Sequence, residues 1–527
     1  MTKMTNLLPE SFSNLNAEDK KSLLTFNRGI EREALRVTPG GKLADTPHPE
    51  TFGSKLTHPL VTTDFSEAQL ELITPVFPSA EGALQKLDEV HRYVYSGVGD
   101  EILWSASMPC MLDEDASIPL AFFGDSNLGR LKTTYRSGLG HRYGRGMQTI
   151  CAVHYNFSLS DEFWSWLKDA EGVSENLKDF TTRRYFDLMR NFRRYSWMLT
   201  YLFGASPAVC KSFVKDKAHT LEDFDEGTLY LPYATSLRSG NLGYQSDTQA
   251  DQMNICYNTL DNYVSSLASA ICAPHDAYEA INAWGEYPQV NANLLQSEAE
   301  FYSSIRAKRV PSAGENFLGS LLEHGVQYIE VRLLDVNPYL PLGIDESEIR
   351  FLDTFLLYCL MTPSPEHDQQ SCDDVRTNSM AVVHNGRSPD LTLIDQGTER
   401  PMQAWAAEIL DEISPWAELL GSELSDPGFI ESFNLQVERV RDPAKTPSGQ
   451  ILGDLKSEGV PFFRFAMNQA LAHRESFNSR PLDEQTVARY AEIAADSVAG
   501  QNDIEAKEQI SFDEYLAGIN ASYQPLV

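Results

Sequence analysis

Two glutamates two positions apart, Glu31 and Glu33, stand in Arg28-Gly-Ile-Glu-Arg-Glu33. Three other segments far away in the chain carry side chains of similar chemistry: Thr62-Thr-Asp64-Phe-Ser-Glu67-Ala-Gln69-Leu-Glu71, His154-Tyr-Asn156-Phe-Ser158 and Tyr328-Ile-Glu330-Val-Arg332. In an extended strand side chains alternate between faces, so residues two apart share one. Glu31 with Glu33, Gln69 with Glu71, His154 with Asn156, and Glu330 with Arg332 would each share a face. The residues between them are apolar or aromatic around the last two pairs: Val153, Tyr155, Phe157, Ile329, Val331 and Leu333. Carboxylates crowded on one surface repel one another and resist desolvation, which calls for a cation among them. Oxygen ligands with one imidazole suit Mg²⁺ or Mn²⁺.

Each segment also has a plainer reading. Glu31 and Glu33 fit an exposed strand face with Arg28, Arg32 and Arg36 as surface partners. Asp64 followed by Glu67 reads equally as a helix N-cap with its capping-box acid. A lone His154 is more often a structural histidine, and Glu330 with Arg332 is also a same-face ion pair. The coincidence across four segments is what favours the metal-binding reading.

The elements that must position these residues are strands separated by long helical or irregular stretches. Strand-like alternation occurs at Glu71–Thr74, Ala152–Ser158, Gly227–Pro232 and Gln327–Leu334. Residues 10–25 read as a short amphipathic helix with a turn at Ser13-Asn14, and Glu81–Gly97 and Asp179–Phe203 are helical in character. Thr362–Asp374 is polar and turn-rich. Beyond about Met402 helical patterns dominate: Gln403–Leu420, Gly428–Val440, Pro461–Arg474 and Glu484–Ala499. The arrangement is α+β rather than regular βαβ repeats. We expect a catalytic core over residues 10–395 and a mainly helical C-terminal portion over 396–527, packed on that core.

Composition removes several function classes. With 43 basic and 75 acidic residues the formal net charge is −32, which repels nucleic acid and anionic membrane surfaces. The N-terminus lacks the apolar core of a signal peptide. The longest apolar run, near Phe351–Met361, contains Asp353 and falls short of the roughly 20 residues a membrane span needs. Seven dispersed cysteines with no Cys-x-x-Cys pair read as reduced thiols. The expected compartment is the cytoplasm. No P-loop, His-Glu-x-x-His or Gly-x-Ser-x-Gly motif occurs. Gly138-Leu-Gly140-His-Arg-Tyr-Gly144 misses the dinucleotide fingerprint by one residue, with no clean strand before it.

Several collinear segments resemble the bacterial glutamate–cysteine ligases, in the proteobacterial subfamily. They are Gly29–Val37, Thr62–Thr74, Arg142-Tyr-Gly144 with Met147-Gln-Thr149, Val153–Ser158, Tyr201–Ala208, Tyr233–Arg238 and Tyr328–Pro338. The likeness covers about residues 20–390 and loosens in the tail. It implies a glutamine-synthetase-like curved antiparallel sheet forming an open funnel, flanked by helices. It also implies ligation of L-glutamate to L-cysteine with ATP, giving γ-glutamylcysteine, ADP and phosphate, the first step of glutathione synthesis. Carried over position by position, Glu31, Glu33, Asp64, Glu71, His154 and Glu330 look like magnesium ligands, and Arg332 like a phosphate-facing cation that also serves ATP. Tyr135, Leu139, Gln148, Tyr244 and Tyr302, joined by Phe65, match the cysteine pocket. Arg238 matches a substrate-carboxylate binder, and Arg136 shares that task.

The chemistry accounts for these residue types. ATP carries about four negative charges, so divalent ions must neutralise phosphates and carboxylates together, and Arg332 would stabilise the transferring phosphoryl group. The attacking amine must be neutral, and Asp64 is the expected proton acceptor. Tyrosines and a leucine give the partly apolar walls a thiol prefers. Two competing readings are a ligase on the same scaffold for a different amine, and a non-catalytic binding protein. The second predicts loss of a metal carboxylate, yet every matched position is present. The expected partners are small molecules only, and a monomer is expected.

Overall fold

The computed structural model describes residues 8–527 apart from 110, 216, 244–248, 250, 251 and 313. Its centre is an antiparallel sheet of β1 (Phe26–Val37), β2 (Val61–Thr63), β3 (Gln69–Ile73), β4 (Ile102–Leu103), β5 (Val153–Leu159), β6 (Ile305–Lys308) and β7 (Tyr328–Leu334). The order is β2-β3-β1-β5-β7-β6, with β4 pairing to the end of β1. The sheet is open: β2 and β6 are its two edges. The α+β class and the open antiparallel sheet expected from the sequence are therefore found.

Period-two alternation gives the sheet two chemically different faces. On β1, Arg28, Ile30, Arg32, Ala34 and Arg36 point one way, and Gly29, Glu31 and Glu33 the other. The back face is apolar and dry, with Ile30, Tyr155, Phe157, Ile329 and Val331 fully buried. The arginines interleaved there are accommodated individually. The Arg28 guanidinium pairs with Asp353 at 2.6 Å, and the Tyr155 hydroxyl donates to the same carboxylate at 2.6 Å. Arg36 pairs with Glu101 at 2.6 Å and donates to the Thr46, Pro47 and Glu67 carbonyls. Arg32 is 2 % exposed and reaches the Trp104 carbonyl at 3.4 Å.

Helices cover this back face. They are α1 (Ala80–Gly97), α3 (Leu177–Phe203) and α4 (Glu346–Met361), while α2 (Asn127–Tyr143) lies on the functional side. Side-chain caps fix their starts: Ser79 accepts from Gly82 N–H, Asn176 from Asp179 and Asp345 from Glu348. The tail supplies α5 (Met402–Glu423), α6 (Phe462–Asn478), α7 (Glu484–Ala506) and α8 (Phe512–Ser522). These do not stand apart. One continuous apolar core runs from Phe12 to Tyr523, and Tyr490 of α7 stacks on Tyr93 of α1 with ring centres 4.1 Å apart. None of the described helices is long and apolar enough to cross a membrane.

Four sequence expectations need correction. Residues 10–25 form two short helices, Glu10–Ser13 and Ala17–Leu23, the second capped by Asn16. The polar stretch Thr362–Asp374 leads into a helix at Gln369–Asn385, because the Asp368 carboxylate accepts from Ser371 N–H and caps it. Asp64 is no helix cap: Asp64–Ala68 is the turn joining β2 to β3, and Asp64 N–H donates to the Gln69 carbonyl at 3.0 Å. Finally, the cysteines are not all thiols. Cys151, Cys256, Cys272, Cys359 and Cys372 are free, but Cys210 is disulfide-bonded.

Candidate active site

The front face of the sheet gathers the carboxylates. In the pairing register Glu33 lies opposite Glu71, Glu31 opposite His154, and Glu330 opposite Asn156. Residues directly opposed across a ladder share a face, so three strand pairings place five of the six expected ligands in one row. Asp64 joins them from the β2–β3 turn, close enough to Glu33 and Glu71 to disfavour their ionisation.

The centre of the row is tight. His154 Nδ1 lies 3.4 Å from Glu31 Oε2, and Nε2 lies 3.6 Å from Glu33 Oε1. Asn156 donates to Glu31 Oε1 at 2.9 Å, and Ala152 N–H donates to Glu33 Oε2 at 2.7 Å. One donor atom each from Glu31, His154 and Glu330 falls within 4.8 Å of the others, a spacing one cation can bridge. Glu330 is 1 % exposed and flanked by two cations, Arg332 at 3.1 Å and Lys308 at 3.5 Å.

The electrostatics divide the row. Burial, then repulsion from Asp64, raises Glu33 to about 8, and burial with repulsion from Glu31 raises Glu71 well above the carboxylate range. At Glu330 burial is outweighed by Lys308 and Arg332, which hold its acid low. At Glu31 burial is outweighed by the hydrogen bond and charge of His154 together with Lys308, which hold its acid low as well. His154 is pushed down, first by burial and then by Arg332, which leaves a neutral imidazole able to ligate. An oxygen-rich row with one neutral imidazole and two carboxylates awaiting positive charge fits a hard divalent cation.

Helix α2 builds the other wall. Ser126 caps it, and Gly144, at φ +83°, ends it. Gly138 is needed for close approach: a Cβ there would collide with the Gln296 side chain, which accepts from Val290 N–H and donates to the Tyr135 carbonyl at 3.1 Å. The glycines of the Gly138–Gly144 stretch thus serve helix packing. Phe65 and Leu139 are buried in one small apolar cluster against which Tyr135 and Tyr143 pack. Arg136 Nε donates to the Asp64 carbonyl, fixing the helix to the carboxylate turn. Gln148 donates to the Tyr302 hydroxyl at 3.0 Å, and Tyr302 meets Tyr143 edge-to-face. Phe65, Tyr135, Arg136, Leu139, Gln148 and Tyr302 are therefore brought to one side of the carboxylate row. Tyr244 lies outside the described residues.

Arg238 is 1 % exposed and donates to the Arg332 carbonyl at 2.8 Å and the Leu333 carbonyl at 3.1 Å, bracing the end of β7. It lines, with Arg332, Tyr302, Gln249 and Tyr257, a cavity of about 580 Å³. Glu67, in contrast, faces away from the row: its carboxylate pairs with Lys55 and accepts from His48 and Phe122 N–H. It is a brace for the turn that presents Asp64.

Two cations of the site were not singled out in the sequence. Lys308 sits on β6, a four-residue edge strand too short to announce itself by alternation. Lys132 lies one turn before Arg136 on α2; burial and Arg136 lower its ammonium to about 8, and its head rests over the Phe123 ring at 5.3 Å. Their signal was spacing: Lys132 stands at i−4 from Arg136, and Lys308, paired with Tyr328, at i+2 from Arg306, which is paired with Glu330.

The glutamate–cysteine ligase family model matches residues 12–382. The chain is 49% identical over 510 residues to the glutamate–cysteine ligase of Alcanivorax borkumensis, covering 95% of this chain and 97% of that one. It is 46% identical over 524 residues to the enzyme of that name from Pseudomonas fluorescens, covering 99% and 98%. The crystal structure of glutamate–cysteine ligase from Francisella tularensis in complex with AMP superposes with a TM-score of 0.88 at 35% identity, covering 95% of this chain and 99% of that one. A bifunctional glutathione synthetase from Pasteurella multocida shares the fold, with a TM-score of 0.68 at 24% identity over 92% of this chain and 57% of that one.

Proposed function

The chain belongs to the glutamate–cysteine ligase family, and from that premise we propose that it joins the γ-carboxylate of L-glutamate to the amine of L-cysteine using ATP. The products are γ-glutamylcysteine, ADP and phosphate, as in the first step of glutathione synthesis. The observation that carries this reading is the single row of Glu31, Glu33, Glu71, His154 and Glu330, with Arg332 and Lys308 at its end.

A carboxylate is a poor electrophile, because its charge is delocalised and oxide is no leaving group. The γ-carboxylate of glutamate therefore attacks the γ-phosphorus of ATP, forming γ-glutamyl phosphate and releasing ADP. The cysteine amine then attacks the acyl carbon and expels phosphate. Glu31, Glu33, Asp64, Glu71, His154 and Glu330 would hold Mg²⁺, which would supply the positive charge that phosphate and carboxylate anions need in order to approach. Arg332 offers a planar, permanently charged fork to the moving phosphoryl oxygens, and Lys308 adds a point charge on the opposite side of Glu330. Asp64 takes the proton released by the amine. The wall of Phe65, Tyr135, Leu139, Gln148 and Tyr302, with Tyr244, surrounds the thiol, while Arg136 and Arg238 hold substrate carboxylate. The working form is a cytoplasmic monomer.

Transfer of isotope tests the chemistry directly. Glutamate labelled with ¹⁸O in the γ-carboxylate passes one labelled oxygen into inorganic phosphate during turnover with cysteine. Formation of AMP and pyrophosphate, or of product without label transfer, would sink the proposal.

A further inference from the structure

Tyr135 stands between two apolar clusters. One is the pocket cluster of Phe65, Ile118 and Leu139; the other is made by Val290 with Phe512 and Leu516 of α8, at the far end of the chain. Residues 512–522 lie well beyond the stretch matched by the family model, yet they pack directly behind the wall assigned to the thiol. The attachment is multiple. The Glu508 carboxylate accepts from Asn127 N–H in the first turn of α2, and Asn127 Nδ2 donates to the Ile510 carbonyl at 3.0 Å. The Arg130 guanidinium lies 4.1 Å from the Phe512 ring centre and 5.2 Å from that of Tyr287, whose hydroxyl donates to Asp513 at 2.7 Å. Helix α8 is itself fixed at its start by a full capping box, Ser511 with Glu514. Farther along, Asn291 donates to Asn520 at 3.0 Å and Asn316 to Ser522 at 2.8 Å.

Phe512 and Leu516 are 3 % and 8 % exposed and belong to the cluster behind Tyr135, separate from the pocket cluster of Phe65 and Leu139. Their contact with the site passes through Tyr135 and Leu131, both packed on their cluster. The main packing of α8 on the rest of the site is against α2, not against the strands that carry the carboxylate row. We propose that the C-terminal helix α8 is a positioning element for the amine substrate: Phe512 and Leu516 hold Tyr135 in place and thereby set affinity and selectivity for cysteine, leaving phosphoryl transfer untouched. This rests on Tyr135 lining the thiol pocket.

The test uses the full-length enzyme, with cysteine, glutamate and ATP varied in turn. Phe512→Ala raises the KM for cysteine roughly tenfold, the scale expected when a substrate-contacting group is displaced by a fraction of an ångström. The KM values for glutamate and ATP stay within about twofold of the parent. Phe512→Leu restores most of the loss, and preference for cysteine over 2-aminobutyrate, which carries a methyl in place of the thiol, falls in Phe512→Ala. Should that variant not fold, Leu516→Val gives the same readout in milder form, and an unchanged KM for cysteine there overturns the proposal. Tyr135→Ala separates the two ideas. If it leaves the KM for cysteine unchanged, the pocket assignment is wrong and the inference falls with it. If Tyr135→Ala raises that KM and Phe512→Ala does not, the inference alone is overturned. Equal changes in all three KM values, not relieved by Phe512→Leu, mean a purely structural contact and also overturn it.

Discussion

Replacing Glu33 by glutamine separates the carboxylate row's role in stability from its role in catalysis. Glu33 is 6 % exposed, opposite Glu71 and near Asp64, and burial with that repulsion raises its acid from 4.5 to about 8. Between these values the folded side chain keeps a proton that the unfolded one has released. The native state therefore loses stability as pH rises from 4.5, and the loss levels off above 8. At pH 7 the interval is 2.5 pH units, and at about 1.36 kcal/mol each the native state carries a penalty on the order of 3 kcal/mol. Glutamine does not ionise, and its oxygen can still accept from Ala152 N–H. In EDTA, Glu33→Gln should be more stable than the parent by about 3 kcal/mol at pH 7, with the difference shrinking towards pH 4.5. Millimolar Mg²⁺ should stabilise the parent by relieving the repulsion, stabilise the variant little, and fail to restore its turnover. Urea unfolding at pH 5.5 and 7.5, with EDTA or Mg²⁺, measures all of this. A variant less stable than the parent at pH 7.5 in EDTA, or one stabilised equally by Mg²⁺, would refute the reasoning.

Arg332→Lys keeps the charge but loses the fork; kcat should drop about 10²–10³-fold, and an effect confined to the KM for cysteine would remove Arg332 from the phosphate. Asp353→Asn strips the buried Arg28 of its counter-charge behind the sheet and should destabilise by about 3–5 kcal/mol, seen as a lowered urea midpoint; a parent-like midpoint would show the pair to be dispensable. His91 is 1 % exposed, stacked on Phe477, and lowered to about 3 by burial and Arg32. Because its folded value lies below the unfolded one of 6.5, its contribution is present above that value and is lost as pH falls, by about 1.4 kcal/mol at pH 5.5. His91→Gln should flatten the stability profile between pH 7.5 and 5.5 by that amount, and an unchanged slope would contradict the assignment.

The carboxylate row was legible in the sequence because a strand repeats every two residues. Glu31 with Glu33 and His154 with Asn156 need only that rule to share a face, and the register does the rest. The turn holding Asp64 was ambiguous, since Asp64-Phe-Ser-Glu67 satisfies a helix cap as well as a tight connection; long-range bonds from Lys55, His48 and Phe122 to Glu67 decide it. Helix α2 was not legible. Arg130, Lys132, Arg136, His141 and Arg142 interrupt any apolar stripe, because the helix meets the carboxylate turn on one side and the chain's own tail on the other. The packing of Tyr135 against the cluster that contains Phe512 joins residues far apart in the chain, and only the folded structure shows it.

Strand β1 carries arginines at 28, 32 and 36 on one face and glutamates at 31 and 33 on the other. Hydrophobic patterning alone would tolerate some sliding of so polar a strand. Charge does not. A slip of one residue against β3 and β5 would turn the three guanidiniums onto the carboxylate face and drive both glutamates into the dry layer beside Asp353. Ion pairs at Asp353 and Glu101 would break together, and two acids would be buried without partners. The sign pattern that prepares the site is thus also a key for strand pairing. It makes mis-registered sheets unstable during folding, before any substrate is present.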